Sequence, residues 1–295
     1  MNLSLKNSAL NYRPVNYRHA FHAGNFADVH KHIVLLALLD RLKRKPKPLF
    51  YLDTHAGRGW YDLLSHDALR GNEWQDGVGR ALRITRASPD LRRYLDAVSS
   101  PEEIPALTTQ RYPGSPVLAV RDLRPGDRIV LVEKQIAEAQ ALEQATRGRR
   151  GVSVVCGDGY AALKTYLPPR ENRGLVLIDP PYESEHELTQ VEKALLLGLS
   201  RWPNGMFALW YPIKTGRETQ RLHLSLQNSG LRKLLLVELS VRPADSPLGL
   251  NGSGLIVANP PWQFAEEIAP ALREAHAALA EDGAGGVNVS WLVPE

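Results

Sequence analysis

Apolar residues at Ala27, Val29, Ile33, Val34, Leu36, Ala37 and Leu38 recur at three- and four-residue intervals, which predicts a helix over residues 25–42 closed by Pro46 and Pro48. The run Leu49-Phe50-Tyr51-Leu52 is continuously apolar and ends at Asp53 and the loop Thr54-His55-Ala56-Gly57-Arg58-Gly59. A strand buried on both faces enters a tight turn in this way. The next clear strand is 128–133. Residues 71–116, in between, carry arginine-rich helical patterns and no strong strand. That stretch far exceeds an ordinary α/β crossover, so an inserted helical subdomain is expected. From there strands at 128–133, 153–156, 174–178 and 206–210 alternate with helices at 135–145, 160–166, 187–200 and 219–228. Further strands are expected at 233–241, 254–258 and 287–293. The alternation predicts an α/β fold with a largely parallel, doubly wound sheet, and antiparallel pairing at one edge where the last strands are less separated by helices. Residues 1–16 read as a loose N-terminal extension to a domain spanning 17–295.

Composition removes several function classes. No run approaches the roughly 18 apolar residues that span a membrane, and residues 1–16 do not read as a signal peptide. Cys156 is the only cysteine, which excludes an intrachain disulfide and a cysteine-built zinc site. A soluble, cytoplasmic protein is the expectation. The net charge of +4 and a pI near 9.1 leave nucleic-acid binding open without requiring it. Two basic groups stand out: Arg41, Lys43, Arg44, Lys45 and Lys47 at the end of the first helix, and Arg80, Arg83, Arg86, Arg92 and Arg93. Each reads either as a solvated helix face or as a phosphate contact.

In a doubly wound sheet ligands bind at the carboxyl ends of the strands, beside the switch in strand order. The polar residues ending the strands therefore belong together. Asp53 with Gly57 and Gly59 forms a loop that lets backbone approach a ligand, and the absence of a following Gly-Lys-Ser/Thr excludes a P-loop. Glu133 can accept both ribose hydroxyls of an adenosine, or merely end its strand. Asp158 can accept an adenine amino group, with Gly159 leaving room for the ring, and it can equally cap the helix that begins near Tyr160. Asp179-Pro180-Pro181-Tyr182, after the fourth strand, carries the strongest signal. The nitrogen lone pair of adenine N6 is delocalised, so its hydrogens must be accepted as it attacks a methyl group. The Asp179 carboxylate and the Pro180 carbonyl can each accept one, consecutive prolines stiffen the loop, and Tyr182 offers a flat face to an unstacked base. Asn259-Pro260-Pro261-Trp262 has similar chemistry, but it follows a late strand and is expected at the sheet edge, away from the site.

The segment from Tyr17 to His32 is rich in histidine and offers His19, His22, Asp28 and His32 as metal ligands. Methyl transfer from a sulfonium needs no metal, and the competing reading is a lining for the cofactor and substrate entrance. This segment, with Leu52-Asp53-Thr54-His55-Ala56-Gly57, Tyr112-Pro113-Gly114-Ser115-Pro116, Leu177-Ile178-Asp179-Pro180-Pro181-Tyr182-Glu183, Ala208-Leu209-Trp210-Tyr211-Pro212 and the terminal Ser290-Trp291-Leu292-Val293-Pro294-Glu295, resembles the bacterial 23S rRNA adenine-N6 methyltransferases over residues 17–295. The resemblance implies a Rossmann-like class I methyltransferase fold that uses S-adenosyl-L-methionine and no metal. It implies that His32, His55, Gly57, Ser115, Glu133, Asp158, Gly159 and Asp179 contact the cofactor or sit at the reaction centre. Asp179, Pro180 and Tyr182 would carry the chemistry, and Tyr17 and Lys31 would meet the RNA. It favours phosphate contact for the basic helices, 23S rRNA as partner, and a monomer with no obligate protein partner. An adenine-N6 DNA methyltransferase shares the Asp-Pro-Pro-Tyr element and is the alternative.

Overall fold

The computed structural model describes residues 18–99, 111–122, 124–184, 186–214, 216–243, 246–247 and 249–295. The expected extension at 1–16 and the RNA-contact candidate Tyr17 lie outside the described residues.

A 3-10 turn at His19–Phe21 leads into α1 (Phe26–Lys43). Asn25 starts this helix because its side chain accepts the backbone N–H groups of Ala27 and Asp28, both at 3.0 Å. The helix is buried on nearly every side, including Asp28, His30, Lys31 and His32. Then follow β1 (Phe50–Asp53), β2 (Trp60–Asp62), α2 (His66–Gly71), α3 (Glu73–Asp76), α4 (Val78–Ala81), α5 (Pro89–Ser99), β3 (Arg111–Pro113) and α6 (Ser115–Arg121). The chain continues through β4 (Arg128–Glu133), α7 (Ile136–Ala145), β5 (Val152–Cys156), α8 (Gly159–Tyr166), β6 (Gly174–Ile178), α9 (Glu187–Arg201), β7 (Met206–Ile213) and α10 (Gly216–Gln227). It ends with β8 (Leu234–Ser240), β9 (Gly252–Ala258), α11 (Phe264–Leu279) and β10 (Gly286–Val293).

Among the described residues eight strands form one sheet in the order β5-β4-β1-β6-β7-β9-β8-β10. The first five run parallel, and strand order reverses about β1, whose Phe50 pairs with Arg128 on one side and Gly174 on the other. β9 is antiparallel to both of its neighbours, and β10 is antiparallel to β8. This is the expected doubly wound, Rossmann-like α/β fold with antiparallel pairing at one edge. One apolar cluster joins a sheet face to α1, α5, α6 and α11 through Ile33, Leu38, Leu91, Tyr94, Leu118, Ile268 and Leu272. The other joins the opposite face to α8, α9 and α10 through Leu163, Leu195, Phe207 and Leu226.

Three features differ from the sequence reading. α11 was not anticipated, because Pro270 inside it interrupts a helical pattern otherwise carried by Phe264, Ile268, Leu272, Ala275 and Leu279. β3 is a strand in the stretch read as helical, since Tyr61 pairs with Tyr112 in a two-stranded ribbon. Asn259 does not sit at the sheet edge. It ends β9, an interior strand, and the reversal of that strand puts it at the opposite pole from Asp179. There its φ is 52°, and its side-chain amide donates to the carbonyls of Pro203 (2.7 Å) and Gly205 (2.8 Å).

The same pole holds the basic end of α1, because β1 begins there. Arg41 is ion-paired with Asp90 and Glu267, Lys43 with Asp122, and Arg44 with Glu267. The carbonyls of Lys45 and Lys47 accept from Arg124. This cluster closes the bottom of the fold, so phosphate contact beside Asp179 is not its role. Asn259→Ala should accordingly lower the unfolding free energy in urea by about 2 kcal/mol through two lost hydrogen bonds at a left-handed backbone. Turnover per folded molecule should stay at the wild-type level.

Candidate active site

The carboxyl ends of β1, β4, β5, β6 and β7 open into a cavity of about 1190 Å³, roofed by residues 18–22 and the start of α1. Asp53 closes β1 and is fully buried. Its carboxylate accepts the hydroxyls of Ser115 (2.7 Å) and Tyr51 (3.0 Å) and the His55 N–H (3.3 Å). Burial raises its pKa to about 6, opposed by the Ser115 hydroxyl. The Glu133 carboxylate accepts the N–H groups of Gly57 (2.9 Å) and Gln135 (2.7 Å), one on each oxygen. Gly57 holds φ at +65°, and a Cβ there would lie 2.3 Å from the Tyr61 hydroxyl. Asp158 caps α8 through one oxygen, which accepts Tyr160 and Ala161 N–H at 3.0 Å. Its other oxygen is 3.8 Å from Lys134 Nζ. At Gly159 a Cβ would fall 2.0 Å from the Thr54 carbonyl, so the β1 loop and α8 approach each other only because this residue has no side chain.

The β6 side holds the charged groups. Lys31 Nζ contacts Asp179 Oδ2 at 2.6 Å and Asp28 Oδ1 at 2.9 Å. Asp28 Oδ2 also accepts the Gly24 N–H (2.9 Å) and is hydrogen-bonded to His19 Nε2 (3.0 Å). Burial alone would depress the Lys31 ammonium, but Asp179 and then Asp28 outweigh it and hold its pKa above the ordinary value. Burial would likewise raise the Asp28 carboxyl, yet Lys31 and His19 together bring it well below the usual range. Asp179 Oδ1 carries no hydrogen bond from a described residue. Tyr182 donates its hydroxyl to the Trp210 carbonyl at 2.5 Å, and the two rings meet edge-on at 5.5 Å. Lys31 Nζ lies 5.8 Å from the centre of the Trp210 ring.

The cavity thus brings together His32, His55, Gly57, Ser115, Glu133, Asp158, Gly159, Asp179, Pro180 and Tyr182. Lys31 lines it too, but as the buried partner of Asp179 rather than as an exposed cation. The histidines considered as metal ligands have separate partners: His19 meets Asp28, His22 meets Glu73 (2.9 Å), and His32 meets the Tyr112 hydroxyl (2.7 Å). No group of three or more metal-ligating side chains occurs among the described residues. Sequence reasoning missed Trp210 and the pairing of Asp28 with Lys31. Trp210 could have been found as an aromatic on the strand after Asp179, and Asp28 by its place one helical turn before Lys31.

Comparison with known proteins gives a consistent picture. The family model described as ribosomal RNA large subunit methyltransferase D, RlmJ, matches residues 46–293. A protein of Haemophilus influenzae named ribosomal RNA large subunit methyltransferase J is 39% identical over 281 residues, covering 95% of this chain and 100% of its own. Its namesake in Escherichia coli K12 is 38% identical over the same shares. The crystal structure of protein LPL1258 from Legionella pneumophila superposes with a TM-score of 0.81 at 34% identity, covering 91% of this chain and 97% of the other.

Burial pushes His32 down to about 3 and His55 to about 4, so both are neutral in the folded state at pH 7. An unfolded chain binds protons below about 6.5, whereas these sites do not until pH 4 or lower, so their contribution to stability is present above 6.5 and lost as pH falls. Denaturation midpoints should therefore drop between pH 7 and pH 5. His32→Gln should flatten that dependence by about 1.4 kcal/mol per pH unit, which urea titrations at each pH would measure.

Proposed function

This chain belongs to the RlmJ family of large-subunit ribosomal RNA methyltransferases, and from that premise and the cavity we propose that it methylates N6 of one adenine in 23S rRNA with S-adenosylmethionine. The observation that carries the reading is Asp179 at the end of β6, held by Lys31 through one oxygen and free on the other. S-adenosylmethionine supplies an electrophilic methyl group on a sulfonium, and the residues present fit it. Gly159 lets α8 close against the β1 loop beside this space, where a Cβ would collide with the Thr54 carbonyl. Glu133 keeps lone pairs for the ribose hydroxyls beyond the two backbone donors it accepts. Asp158 caps α8 with one oxygen and can take the adenine amino group with the other. His32, His55 and Ser115 line the same space.

The remaining steps belong to the chain. Asp179 Oδ1 accepts one hydrogen of the target amino group and the Pro180 carbonyl accepts the other, which returns lone-pair density to N6. Lys31 fixes the carboxylate in place. Tyr182 presents a ring face to the flipped base while its hydroxyl is anchored on the Trp210 carbonyl. Tyr17, next to the Arg18 that lines the cavity, meets the RNA. A monomer acting in the cytoplasm, where its RNA is, is the state proposed for the enzyme.

Asp179→Ala should lower methyl transfer to protein-free 23S rRNA about 1000-fold while calorimetry shows cofactor affinity largely kept. Undiminished turnover would overturn the assignment, and faster methylation of duplex DNA than of rRNA would replace the substrate. Tyr182→Ala should cost far more kcat than Tyr182→Phe, which loses only the anchor on Trp210. Equal losses would move the role from the ring to the hydroxyl.

A further inference from the structure

Behind the aromatic wall of the site lies a buried polar chain that the mechanism above does not use. His30, on α1, and Ser253, on β9, are both 0% exposed. Ser253 Oγ lies 2.8 Å from His30 Nδ1 and accepts the Trp210 indole N–H at 2.9 Å. The indole is a donor only, so the serine oxygen accepts from it. The serine hydroxyl then donates to His30 Nδ1, or Nδ1–H donates to the serine. His30 Nε2 has no hydrogen-bond partner among the described residues. An apolar side chain at position 30 would spare the protein an unsatisfied buried nitrogen, which is destabilising. A buried polar group kept at that cost calls for a role.

The role follows from what Trp210 touches. Its carbonyl holds the Tyr182 hydroxyl, its ring meets the Tyr182 ring, and its face lies near the ammonium of Lys31, which holds Asp179. Rotation of the indole would shift the platform for the base and the charge beside the carboxylate together. We propose that His30 and Ser253 are positioning residues that lock the Trp210 indole, and through it set Tyr182 and Lys31 against Asp179. The proposal deepens the methyl-transfer reading and rests on it for its kinetic arm.

The test has a spectroscopic arm and a kinetic arm, both on the full chain. The six tryptophans each give an indole N–H signal in 15N-labelled protein, and Trp210→Phe identifies the one that matters. Ser253→Ala should move that signal and speed its solvent exchange, and His30→Leu should do so more weakly. With 23S rRNA as substrate, Ser253→Ala should lower kcat about 10-fold, with S-adenosylhomocysteine affinity within about twofold and the thermal midpoint lowered by a few degrees through the two buried nitrogens left without a partner. In the Trp210→Phe background, where no indole N–H remains, Ser253→Ala should have no further effect on kcat. An unmoved Trp210 signal overturns the proposal, as does the same loss of kcat in both backgrounds, which would mark a general packing defect. If the wild-type chain leaves rRNA unmethylated, the proposed function falls, and the indole signal still decides whether the pair fixes Trp210.

Discussion

Lys31 between Asp28 and Asp179 is the interaction on which the site depends. Its side chain is 6% exposed and those of its partners 3% and 14%, so the charges are desolvated and their attraction is weakly screened. The ammonium ties the first turn of α1 to the loop after β6, which joins the roof of the cavity to its reactive edge. Without it, the Asp28 and Asp179 carboxylates would be left buried with no cation between them, at a high desolvation cost. The Gly24 N–H and His19 on Asp28 supply further donors that make the burial tolerable. The three charges sum to minus one, a potential that favours a cationic group at the mouth of the site.

The two poles of the sheet divide the work. At the carboxyl ends of the parallel strands, carboxylates keep lone pairs turned toward the cavity, and glycines stand where a Cβ would block close approach. At the other pole the charges are spent on one another, as Arg41, Lys43 and Arg44 are. α1 spans both poles, which explains why it is buried nearly all round and carries charged residues at each end. Its middle is a core element packed on the sheet, α5 and α11.

Much of this was legible in the chain. The parallel strands β1, β4, β5 and β6 announce themselves as apolar runs followed by polar residues, because a buried parallel sheet demands that pattern. Asp53, Glu133, Asp158 and Asp179 follow from it, since each terminates such a run. What escaped depends on partners distant in sequence. Lys31 looks like any lysine on a helix until the fold brings Asp179 against it, 148 positions away. α11 was masked by a proline that its neighbours accommodate. The direction of β9 could not be read from an apolar run, which is the same in either sense, and so Asn259 was assigned to an edge it does not occupy.

That reversal has an evolutionary corollary. Asp179-Pro180-Pro181-Tyr182 and Asn259-Pro260-Pro261-Trp262 are near twins in composition, yet drift at each is limited by a different constraint. At 259 the constraint is conformational: the left-handed backbone accepts glycine, and related chains can wander there while they keep the fold. At 179, on the proposed role of the carboxylate, the constraint is chemical, and glycine is as damaging as any other replacement. On the proposed mechanism, a homologue with a degraded second tetrapeptide still has a complete site, whereas one with a degraded first tetrapeptide keeps only the fold.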